Sequence, residues 1–457
     1  MAQVGIIGGG ISGLMAAYRL QQNGVSVQVL EASDRVGGVI ETTTEDGFLV
    51  EHGPNSLRPS ELLMSVIEEL DLTPDRVWAD ESASTRYVVR DGRPVALPMS
   101  IGSFVTTDLF STWAKLRLLA EPFVGARPAA TSEESLAAFT RRRLGPEVLD
   151  YAVAPFVGGV FAGRPDALSA RHSFGRLVEL EQEYGSLFWG ALRSAGSSSG
   201  SSDTPSSLFS FQNGLETLPR TLAAELGDSI RRNAPVTALQ QDGEQWTVAV
   251  EPENGTRSSH SFDAVVCTVP LHTVPDIDLD TPVDCSPLGA VDYPPVRVVA
   301  LGYDRRDVAH PLDGFGALVP PVESSFDVLG TIFSSTLFPG RAPDDQVLLT
   351  TFVGGARNPD LAERSPSAVQ SVVERDLERL LGVEGAPRHV QHVYWPRAIP
   401  QYTLGYGAVK DTLDALEAEH SRLFFAGNYR EGVSVGDAMA SGDAAATRAR
   451  RMLRGSA

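Results

Sequence analysis

A glycine-rich turn directly after the first apolar segment constrains the fold of this chain more than any other feature. QVGIIG is a short β-branched run, ISGLMAAYRLQQNG has helical periodicity and ends at a glycine, and SVQVLEA is the next strand. Between strand and helix, Gly8 permits a tight turn, Gly10 lets the backbone approach a pyrophosphate, and Gly13 lets helix and strand pack closely. The sequence therefore predicts a dinucleotide-binding β–α–β unit, with free helix N–H groups facing the phosphates. The residues of this turn are Gly8, Gly9, Gly10, Ile11, Ser12 and Gly13.

An acidic residue and two further turns extend this predicted site. Glu31 ends the second strand, where a carboxylate accepts hydrogen bonds from ribose hydroxyls and repels a 2′-phosphate. The motif alone does not distinguish NAD from FAD. The glycine pair in DRVGG is typical of flavoproteins with an extra clamp on the adenosine–pyrophosphate half, and GPNS can bring backbone N–H groups to the flavin side. The residues assigned to the cofactor here are Glu31, Ala32, Arg35, Gly37, Gly38, Gly53, Pro54, Asn55 and Ser56.

A second glycine turn lies near the other end of the chain, in LFFAGNYREGVSVGDAMASG. NAD-dependent dehydrogenases have no such turn, whereas FAD is long enough to need a second anchorage. A helix beginning at about Gly436 would direct its positive end at N1 and C2=O of the isoalloxazine. It would stabilise the anionic reduced flavin by a few tenths to about 2 kcal/mol. The sequence therefore predicts FAD as the cofactor, held at this end by Gly427, Asn428, Gly432, Val433, Ser434 and Val435.

Composition excludes several classes of protein. The net charge of −20 argues against a nucleic-acid partner and against simple electrostatic attachment to anionic lipid. No segment reaches the roughly 18 consecutive apolar residues of a membrane span, and the first apolar run lacks the basic residues that precede a signal sequence. Two cysteines form no disulfide framework, and the eight histidines show no metal-ligand spacing. We expect a cytoplasmic protein without a metal. A peripheral contact at the inner face of the membrane and a homodimer both stay open.

The middle of the chain contains further recognisable elements. TRYVVRDGRPVAL alternates around Asp91-Gly92 and predicts a hairpin. Residues 100–193 have mainly helical patterns without strand pairs, and Ser194–Ser207 has the composition of a flexible surface loop. Strands such as RVVALGYD then alternate with helices such as SAVQSVVERDLERLLG. These patterns predict an α/β fold with a separate helical unit.

Together these segments resemble the flavin-containing amine oxidase superfamily, and within it the porphyrinogen oxidases acting on protoporphyrinogen or coproporphyrinogen. The resemblance extends over essentially the whole chain. Its most specific segments are GPNSLRPS, GGVFAG, DGFGALVP, GTIFSSTLFP, TTFVGGARN, WPRAIPQY and GNYREGVSVGD. It implies a Rossmann-like FAD-binding domain, a mixed-sheet substrate-binding domain, and a helical insert matching the membrane-binding domain of mitochondrial members. The implied ranges are 1–81, 223–274 and 404–457 for the first, 82–99, 194–222 and 275–403 for the second, and 100–193 for the third.

The resemblance also implies the chemistry. Val236 matches a residue whose backbone contacts the adenine, and Trp395 matches a residue near the flavin. The implied reaction removes six electrons from protoporphyrinogen IX in three two-electron turns, giving protoporphyrin IX in haem biosynthesis. Dioxygen is the implied acceptor and hydrogen peroxide the second product. No catalytic side chain is assigned, because positioning and flavin tuning carry this reaction.

Five substrate residues carry over by motif. Arg86 in STRYVV matches an arginine that pairs with a propionate of the tetrapyrrole. Leu318 and Ile332 match apolar residues on one face of the macrocycle, Phe352 matches the aromatic residue on the other, and Gly159 matches a glycine at the pocket wall. Without the resemblance, the three apolar residues would be assigned to the core and Arg86 to the surface.

Alternative functions differ in specific residues. Oxidation of coproporphyrinogen III by the same mechanism would call for more cationic residues at the pocket mouth, which the sequence does not locate. An amine oxidase carries a lysine in the substrate domain, but DYPPVRVVALGY contains none, and the two lysines, Lys115 and Lys410, lie elsewhere. A carotenoid desaturase would lack TTFVGGARN and an arginine such as Arg86. A non-catalytic flavoprotein would not need the substrate segments.

Overall fold

The structure is a computed structural model that describes residues 2–126, 133–195, 208–251 and 255–455. The predicted loop Ser194–Ser207 lies mostly outside these residues. The strands are β1 (Gln3–Ile7), β2 (Ser26–Leu30), β3 (Thr42–Glu45), β4 (Phe48–Glu51), β5 (Arg76–Trp78), β6 (Arg86–Arg90), β7 (Arg93–Ala96), β8 (Phe209–Phe211), β9 (Ile230–Arg231), β10 (Val236–Asp242), β11 (Gln245–Val250), β12 (Ser258–Phe262), β13 (Ala264–Cys267), β14 (Asp278–Leu279), β15 (Val296–Asp304), β16 (Gly316–Leu318), β17 (Val328–Phe333), β18 (Gln346–Gly354), β19 (His389–Trp395) and β20 (Leu423–Phe425).

The helices connect and cover these strands. In chain order they are α1 (Ile11–Gln22), α2 (Glu61–Glu69), α3 (Ile101–Thr106), α4 (Thr112–Leu119), α5 (Leu136–Arg143), α6 (Pro146–Val148), α7 (Ala154–Phe161), α8 (Ala170–Ser173), α9 (Gly175–Tyr184), α10 (Leu187–Ala195), α11 (Thr217–Leu226), α12 (Ser286–Gly289), α13 (Ser334–Leu337), α14 (Pro359–Glu363), α15 (Pro366–Leu381), α16 (Gly407–Glu419) and α17 (Val435–Gly455). None of the helices in the described ranges is long and apolar enough to cross a membrane.

A five-stranded parallel sheet, in the order β20-β13-β1-β2-β9, forms the first layer. Its central strand β1 is buried on both faces, as expected of a parallel sheet covered by helices. Val4 and Ile6 pack in one core cluster with residues of α1 and α17, whereas Ile7 packs in another cluster with residues of α16. The predicted Rossmann-like unit is therefore confirmed, and strands from both ends of the chain build its sheet.

A seven-stranded mixed sheet forms the second large layer, in the order β19-β15-β18-β17-β16-β6-β7. The β16–β6 pair is parallel and the other pairs are antiparallel, which confirms the predicted mixed sheet and the predicted β6–β7 hairpin. Helix α15 covers one face, where alternating residues such as Val299, Leu301 and Val353 are fully buried. On the opposite face, Ala300 and Leu348 pack against Phe48, and Phe352 packs against Ala162.

The helical insert packs back onto this second sheet. Between residues 100 and 193, the described part of the chain contains helices and turns and no strand, as the sequence predicts. Within the insert, the guanidinium of Arg143 is completely buried and pairs with Glu121 and Glu181. Such a pair is costly to break from one side, because the remaining charge stays buried. The insert thus holds α7 in a defined position against β16 and β17.

One segment packs differently from the sequence-based domain boundaries. The implied division places residues 194–222 in the substrate-binding domain. In the structure, Phe209, Phe211 and Leu222 are fully buried in the core cluster of the five-stranded sheet, and α11 packs against α1. Hydrophobic burial therefore associates residues 208–226 with the dinucleotide-binding unit.

Candidate active site

The first glycine turn has the geometry that a pyrophosphate requires. Gly8 has a φ of +101°, which favours glycine, and a Cβ atom on Gly13 would overlap the carbonyl oxygen of Gly8. Gly10 differs from both, because nothing lies within 4 Å of the position of its missing Cβ atom. The space in front of Gly10 is therefore open at the N-terminus of α1, where backbone N–H groups attract anions.

Glu31 lies beside this turn, at the carboxyl end of β2. One of its oxygens, Oε2, accepts a hydrogen bond from the Gly9 N–H at 2.6 Å. The other, Oε1, accepts from the N–H and the hydroxyl of Ser33 at 2.8 and 2.7 Å. These bonds hold the carboxylate at the end of the strand, and its remaining lone pairs suit ribose hydroxyls. Ala32 is the exposed residue that separates Glu31 from Ser33.

The second glycine pair packs directly against the first turn. The Gly37 N–H donates to the Gly9 carbonyl at 2.8 Å, and a Cβ atom on Gly38 would lie 3.3 Å from the Cα of Gly10. Nη2 of Arg35 donates to the Gly38 carbonyl at 2.6 Å. Arg35 thus stabilises the backbone of the Gly37–Gly38 pair through this hydrogen bond.

The GPNS turn joins the same group. A Cβ atom on Gly53 would overlap the carbonyl oxygen of Val39, the residue that follows the second glycine pair. The side chain of Asn55 donates to the Gly53 carbonyl at 3.0 Å, which fixes the turn across Pro54. Ser56 completes the turn and is half-buried.

The C-terminal turn ends in a capped helix. Helix α17 begins at Val435, one residue earlier than the sequence indicated. The Ser434 hydroxyl accepts from the Asp437 N–H at 3.1 Å and donates to the Asp437 carboxylate at 2.6 Å. A Cβ atom on Gly432 would overlap that carboxylate, so the two groups lie in close contact. The N–H groups of the first turn of α17 have no acceptor within the helix.

Helices α1 and α17 bring the two ends of the site together. The Ser12 hydroxyl donates to the Ala438 carbonyl at 2.8 Å, and a Cβ atom on Gly442 would overlap the Ser12 carbonyl. The Gly427 N–H donates to the hydroxyl of Ser441 at 3.0 Å. The two helix N-termini therefore lie side by side, although their residues are more than 400 positions apart.

A segment from the middle of the chain, residues 230–236, packs beside Glu31. The Ala234 N–H donates to the Glu31 carbonyl at 2.8 Å, and β9 pairs with β2. Val236 follows two residues later, at the start of β10, and its side chain is half-buried. The structure therefore brings all the predicted cofactor turns to one edge of the five-stranded sheet. The open space at Gly10, the held carboxylate of Glu31 and the capped second helix fit a dinucleotide flavin.

The predicted substrate residues share the face of the seven-stranded sheet that lies opposite α15. Arg86, Gly316 and Ile332 are register partners across β6, β16 and β17. In the next row, Leu318, Gly330 and Phe352 are partners across β16, β17 and β18. Register partners point to the same side of a sheet, as do residues two positions apart along a strand. All four predicted side chains therefore point to one face, opposite α15.

Gly330 lies between two of the predicted substrate residues, and the sequence analysis did not identify it. Leu318 and Phe352 lie two strands apart, about 10 Å, and Gly330 between them has no side chain. Two apolar side chains thus flank a glycine, and Cδ2 of Leu318 lies 3.2 Å from the position of the missing Cβ atom of Gly330. We call this part of the sheet face the slot. Helix α7 closes one side, where a Cβ atom on Gly159 would lie 2.8 Å from Cδ2 of Leu318. The alternation of Gly330 and Ile332 in GTIFSS is the signal that could have identified this glycine.

Trp395 and Asn55 connect the slot to the cofactor turns. Trp395 lies on the same face of the sheet, and its indole Nε1 donates to the carbonyl of His52 at 2.8 Å. His52 directly precedes Gly53 of the cofactor turn. A small cavity is lined by Asn55 from the cofactor side and by Ile332 from the substrate side.

A buried ion pair lines the same cavity. Oε1 of Glu51 lies 3.7 Å from Nη2 of Arg341, and both side chains are almost completely buried. Burial raises the pKa of Glu51 and lowers the pKa of Arg341. Arg341 also donates to Ser210 at 2.7 Å, so the pair fixes β8 beside the slot.

The fold and these turns define a dinucleotide-binding oxidoreductase. Residues 11–450 match the family described as flavin-containing amine oxidoreductases. The chain belongs to this family. It is thus a flavoprotein enzyme, and the predictions of family, enzyme class and flavin cofactor are confirmed.

Within this family, the similar relatives include several porphyrinogen oxidases. Protoporphyrinogen oxidase 2, chloroplastic/mitochondrial, of Arabidopsis thaliana is 38% identical over 97% of this chain and 93% of its own length. Protoporphyrinogen oxidase of Bos taurus is 33% identical over 97% of each chain. Coproporphyrinogen III oxidase of Bacillus subtilis is 28% identical over 96% of each chain. The predicted resemblance to the porphyrinogen oxidases is therefore confirmed.

Solved structures share the fold. A crystal structure from Exiguobacterium sp. 255-15, provisionally named a protoporphyrinogen oxidase, superposes with a TM-score of 0.82 over 99% of both chains at 24% identity. Wild-type putrescine oxidase bound to putrescine superposes with a TM-score of 0.69 at 20% identity. The two lysines of the present chain lie outside the slot. Lys115 donates to carbonyls within the helical insert, and Lys410 lies on α16.

Proposed function

We propose that this protein oxidises protoporphyrinogen IX to protoporphyrin IX with dioxygen (O2) as acceptor and hydrogen peroxide as second product. The observation that carries the proposal is the slot. Its apolar side chains, its glycine and its terminal arginine lie on one face of the sheet, beside the cofactor turns. A macrocycle with an apolar body and carboxylate side chains suits such a slot. The names and near-complete coverage of the curated relatives support the same substrate class.

Each residue of the slot would have a separate role in binding the substrate. Leu318 and Phe352 would contact the two faces of the macrocycle, and Arg86 would pair with a propionate. Trp395, whose indole donates to the carbonyl of His52, would lie near the flavin. FAD, when bound, accepts two electrons at a time from the substrate. The protein excludes water and presents a bridge carbon, which is a matter of positioning rather than of acid–base chemistry. We assign the five-stranded sheet to the FAD-binding domain and the seven-stranded sheet to the substrate-binding domain.

Coproporphyrinogen III is the second candidate substrate, supported by the Bacillus subtilis relative. It carries two additional propionates in place of two vinyl groups, and each would need a cationic partner. The test is the rise of porphyrin fluorescence in air, with each porphyrinogen in parallel and peroxide measured at the same time. Faster oxidation of protoporphyrinogen supports the main proposal, and a preference for coproporphyrinogen selects the alternative. Oxidation of neither would exclude both.

Removing the arginine at the end of the slot should weaken substrate binding. For Arg86→Ala we expect the KM to rise by about 10-fold or more, with kcat within about twofold and full flavin occupancy. The reason is that a charge-assisted pair with a carboxylate contributes about 1.5–3 kcal/mol. Steady-state kinetics and the flavin-to-protein absorbance ratio measure both quantities. Arg93→Ala on the neighbouring strand β7, where the side chain is exposed, is the matched control. Loss of flavin from Arg86→Ala would contradict this placement.

We also propose that the helical insert contacts a membrane surface from the cytoplasmic side. The insert carries several large exposed apolar side chains: Trp113 (77% exposed), Leu116 (54%), Leu119 (70%), Phe123 (90%), Phe188 (56%) and Leu192 (58%). Exposed apolar area of this kind marks an interaction surface. The net charge of −20 favours uncharged lipid over anionic lipid.

Charged substitutions on this surface should abolish membrane binding. For Trp113→Glu combined with Phe123→Glu, we expect binding to phosphatidylcholine vesicles to fall at least about 10-fold, because each ring contributes about 1.5–3 kcal/mol when buried. Flotation with vesicles measures the bound fraction. Val322→Glu, at a 49% exposed site outside the insert, serves as control. If the parent protein does not bind vesicles but dimerises through these residues, the surface is a homodimer interface instead.

A further inference from the structure

Two buried tyrosines hold the backbone of the C-terminal turn. The Tyr402 hydroxyl donates to the carbonyl of Asn428, and the Tyr406 hydroxyl donates to the carbonyl of Tyr429 at 2.8 Å. Only 2% of each tyrosine is exposed. Neither residue is a predicted site residue, yet both donate to consecutive carbonyls within the turn that begins at Gly427.

The surroundings make this arrangement rigid. The rings of Tyr402 and Tyr406 lie 4.5 Å apart, and the hydroxyl of Tyr429 donates in turn to the carbonyls of Ala426 at 2.8 Å and Cys267 at 3.3 Å. Burial raises the pKa of both Tyr402 and Tyr406, so both remain neutral donors at physiological pH. The Gly427 N–H donates to the Ser441 hydroxyl at 3.0 Å and the Arg430 N–H donates to the Gly427 carbonyl at 3.2 Å, so bonds within the protein hold both carbonyls and N–H groups of the turn.

The same segment also contacts the wall of the substrate slot. The Gln401 side chain donates to the carbonyl of Phe161, the last residue of α7, at 2.8 Å. The Phe161 and Tyr402 rings lie 6.1 Å apart, and the Ser169 N–H donates to the Tyr402 carbonyl at 2.8 Å. Gly159 lies on the same helix α7 and faces the slot. Adjacent residues of one segment thus hold both the slot wall and the turn.

We propose that Tyr402 and Tyr406 are positioning residues that fix the C-terminal turn against the isoalloxazine and keep it in register with the slot wall. The inference rests on the proposed placement of that turn at the flavin. It requires no contact between either tyrosine and the substrate. The tyrosines act through the backbone of residues 428 and 429.

Tyr402→Phe tests this role, since it removes only the hydroxyl. The Asn428 carbonyl then loses its buried donor, and the turn can move away from the position that suits the flavin. We expect the Kd of apoprotein for FAD to rise about 5- to 30-fold and the visible absorption bands of the bound flavin to shift. We expect kcat to fall several-fold while the KM for the porphyrinogen stays within about twofold. Tyr406→Phe should change the same quantities in the same direction.

Tyr303→Phe is the matched control. Tyr303 is 1% exposed, but it lies in the cluster beneath α15, on the far face of the seven-stranded sheet. It reports the general cost of losing a buried hydroxyl, which thermal unfolding of each apoprotein measures. We expect the changes in FAD affinity and flavin spectrum to be confined to Tyr402→Phe and Tyr406→Phe, whatever the change in unfolding temperature of each variant.

The outcomes separate the possibilities. If Tyr402→Phe and Tyr406→Phe bind FAD with the parent's Kd and spectrum, the tyrosines have a structural role only and the inference is wrong. If Tyr402→Phe cannot be purified in folded form, Tyr406→Phe decides the question with the same titration. The FAD titration uses no porphyrinogen, so failure of the proposed substrate assignment appears separately, as a parent protein that binds FAD but oxidises neither porphyrinogen.

Discussion

Gly10→Val should yield a folded, colourless protein whose affinity for FAD is lower by at least about 100-fold. Nothing lies within 4 Å of the missing Cβ atom, and the φ of −72° is one that valine adopts, so the protein itself tolerates the substitution. The added side chain instead fills the space in front of the α1 N-terminus, where the pyrophosphate would meet the backbone. Losing two or more charge-assisted hydrogen bonds accounts for this factor.

The measurement is the flavin-to-protein absorbance ratio after purification, together with circular dichroism to establish folding. Gly125→Val is the control, because Gly125 also has open space around its missing Cβ atom and lies in the helical insert. A yellow Gly10→Val protein with the parent's flavin content would mean that this turn does not hold the cofactor.

Gly159→Leu should lower kcat/KM for porphyrinogen oxidation by about 100-fold or more, while the protein keeps its bound flavin and its yellow colour. Its Cβ atom would lie 2.8 Å from Leu318 Cδ2, the flexible end of a side chain that can move. Gly159 is itself exposed on α7, so the protein can accommodate the leucine, which then occupies the slot. A porphyrinogen has sp³ bridge carbons and can bend, but the leucine side chain would take up volume that the bound macrocycle needs.

The neighbouring residue supplies a sharp control. Gly158 lies on the same helix, and nothing lies within 4 Å of its missing Cβ atom. Successive helical residues point about 100° apart, so Gly158→Leu adds the same volume in a different direction. Steady-state kinetics should show near-parental activity for Gly158→Leu. If the two variants lose activity equally, the damage lies in α7 itself, and the slot does not lie where we place it.

The cofactor turns were predictable because their signal is local. Gly8, Gly10 and Gly13 follow a β-branched strand and open a helix, and each glycine has a backbone or packing reason within a few residues. The same holds for Ser434 before α17, where the capping serine and the glycine at 432 mark the turn in the sequence. The helix boundary was correct to within one residue.

The glycine of the slot and the supporting tyrosines depend on contacts between distant residues. Gly330 acquires its place only because β17 pairs with β16 and β18 in one particular register, which no local pattern specifies. Tyr402 reaches Asn428 across a turn and a helix. Residues 208–226 follow an apparently featureless loop, and only the burial of Phe209 and Phe211 associates them with the first sheet. Packing between distant parts of the chain determines these three features, so local sequence patterns could not predict them.

The order of strands in the five-stranded sheet has a consequence for biosynthesis. Strand β1 is flanked on one side by β13 and then by β20, so the sheet is complete only after Phe425 has been made. At about 5–20 residues per second, a ribosome needs roughly 20 to 80 seconds to travel from β1 to β20. Until β20 has been made, the nascent chain exposes the edge of β13 and lacks α17. Flavin loading is therefore expected to be a late event that follows release of the chain. The supply of flavin in the cell then influences how much newly made protein survives.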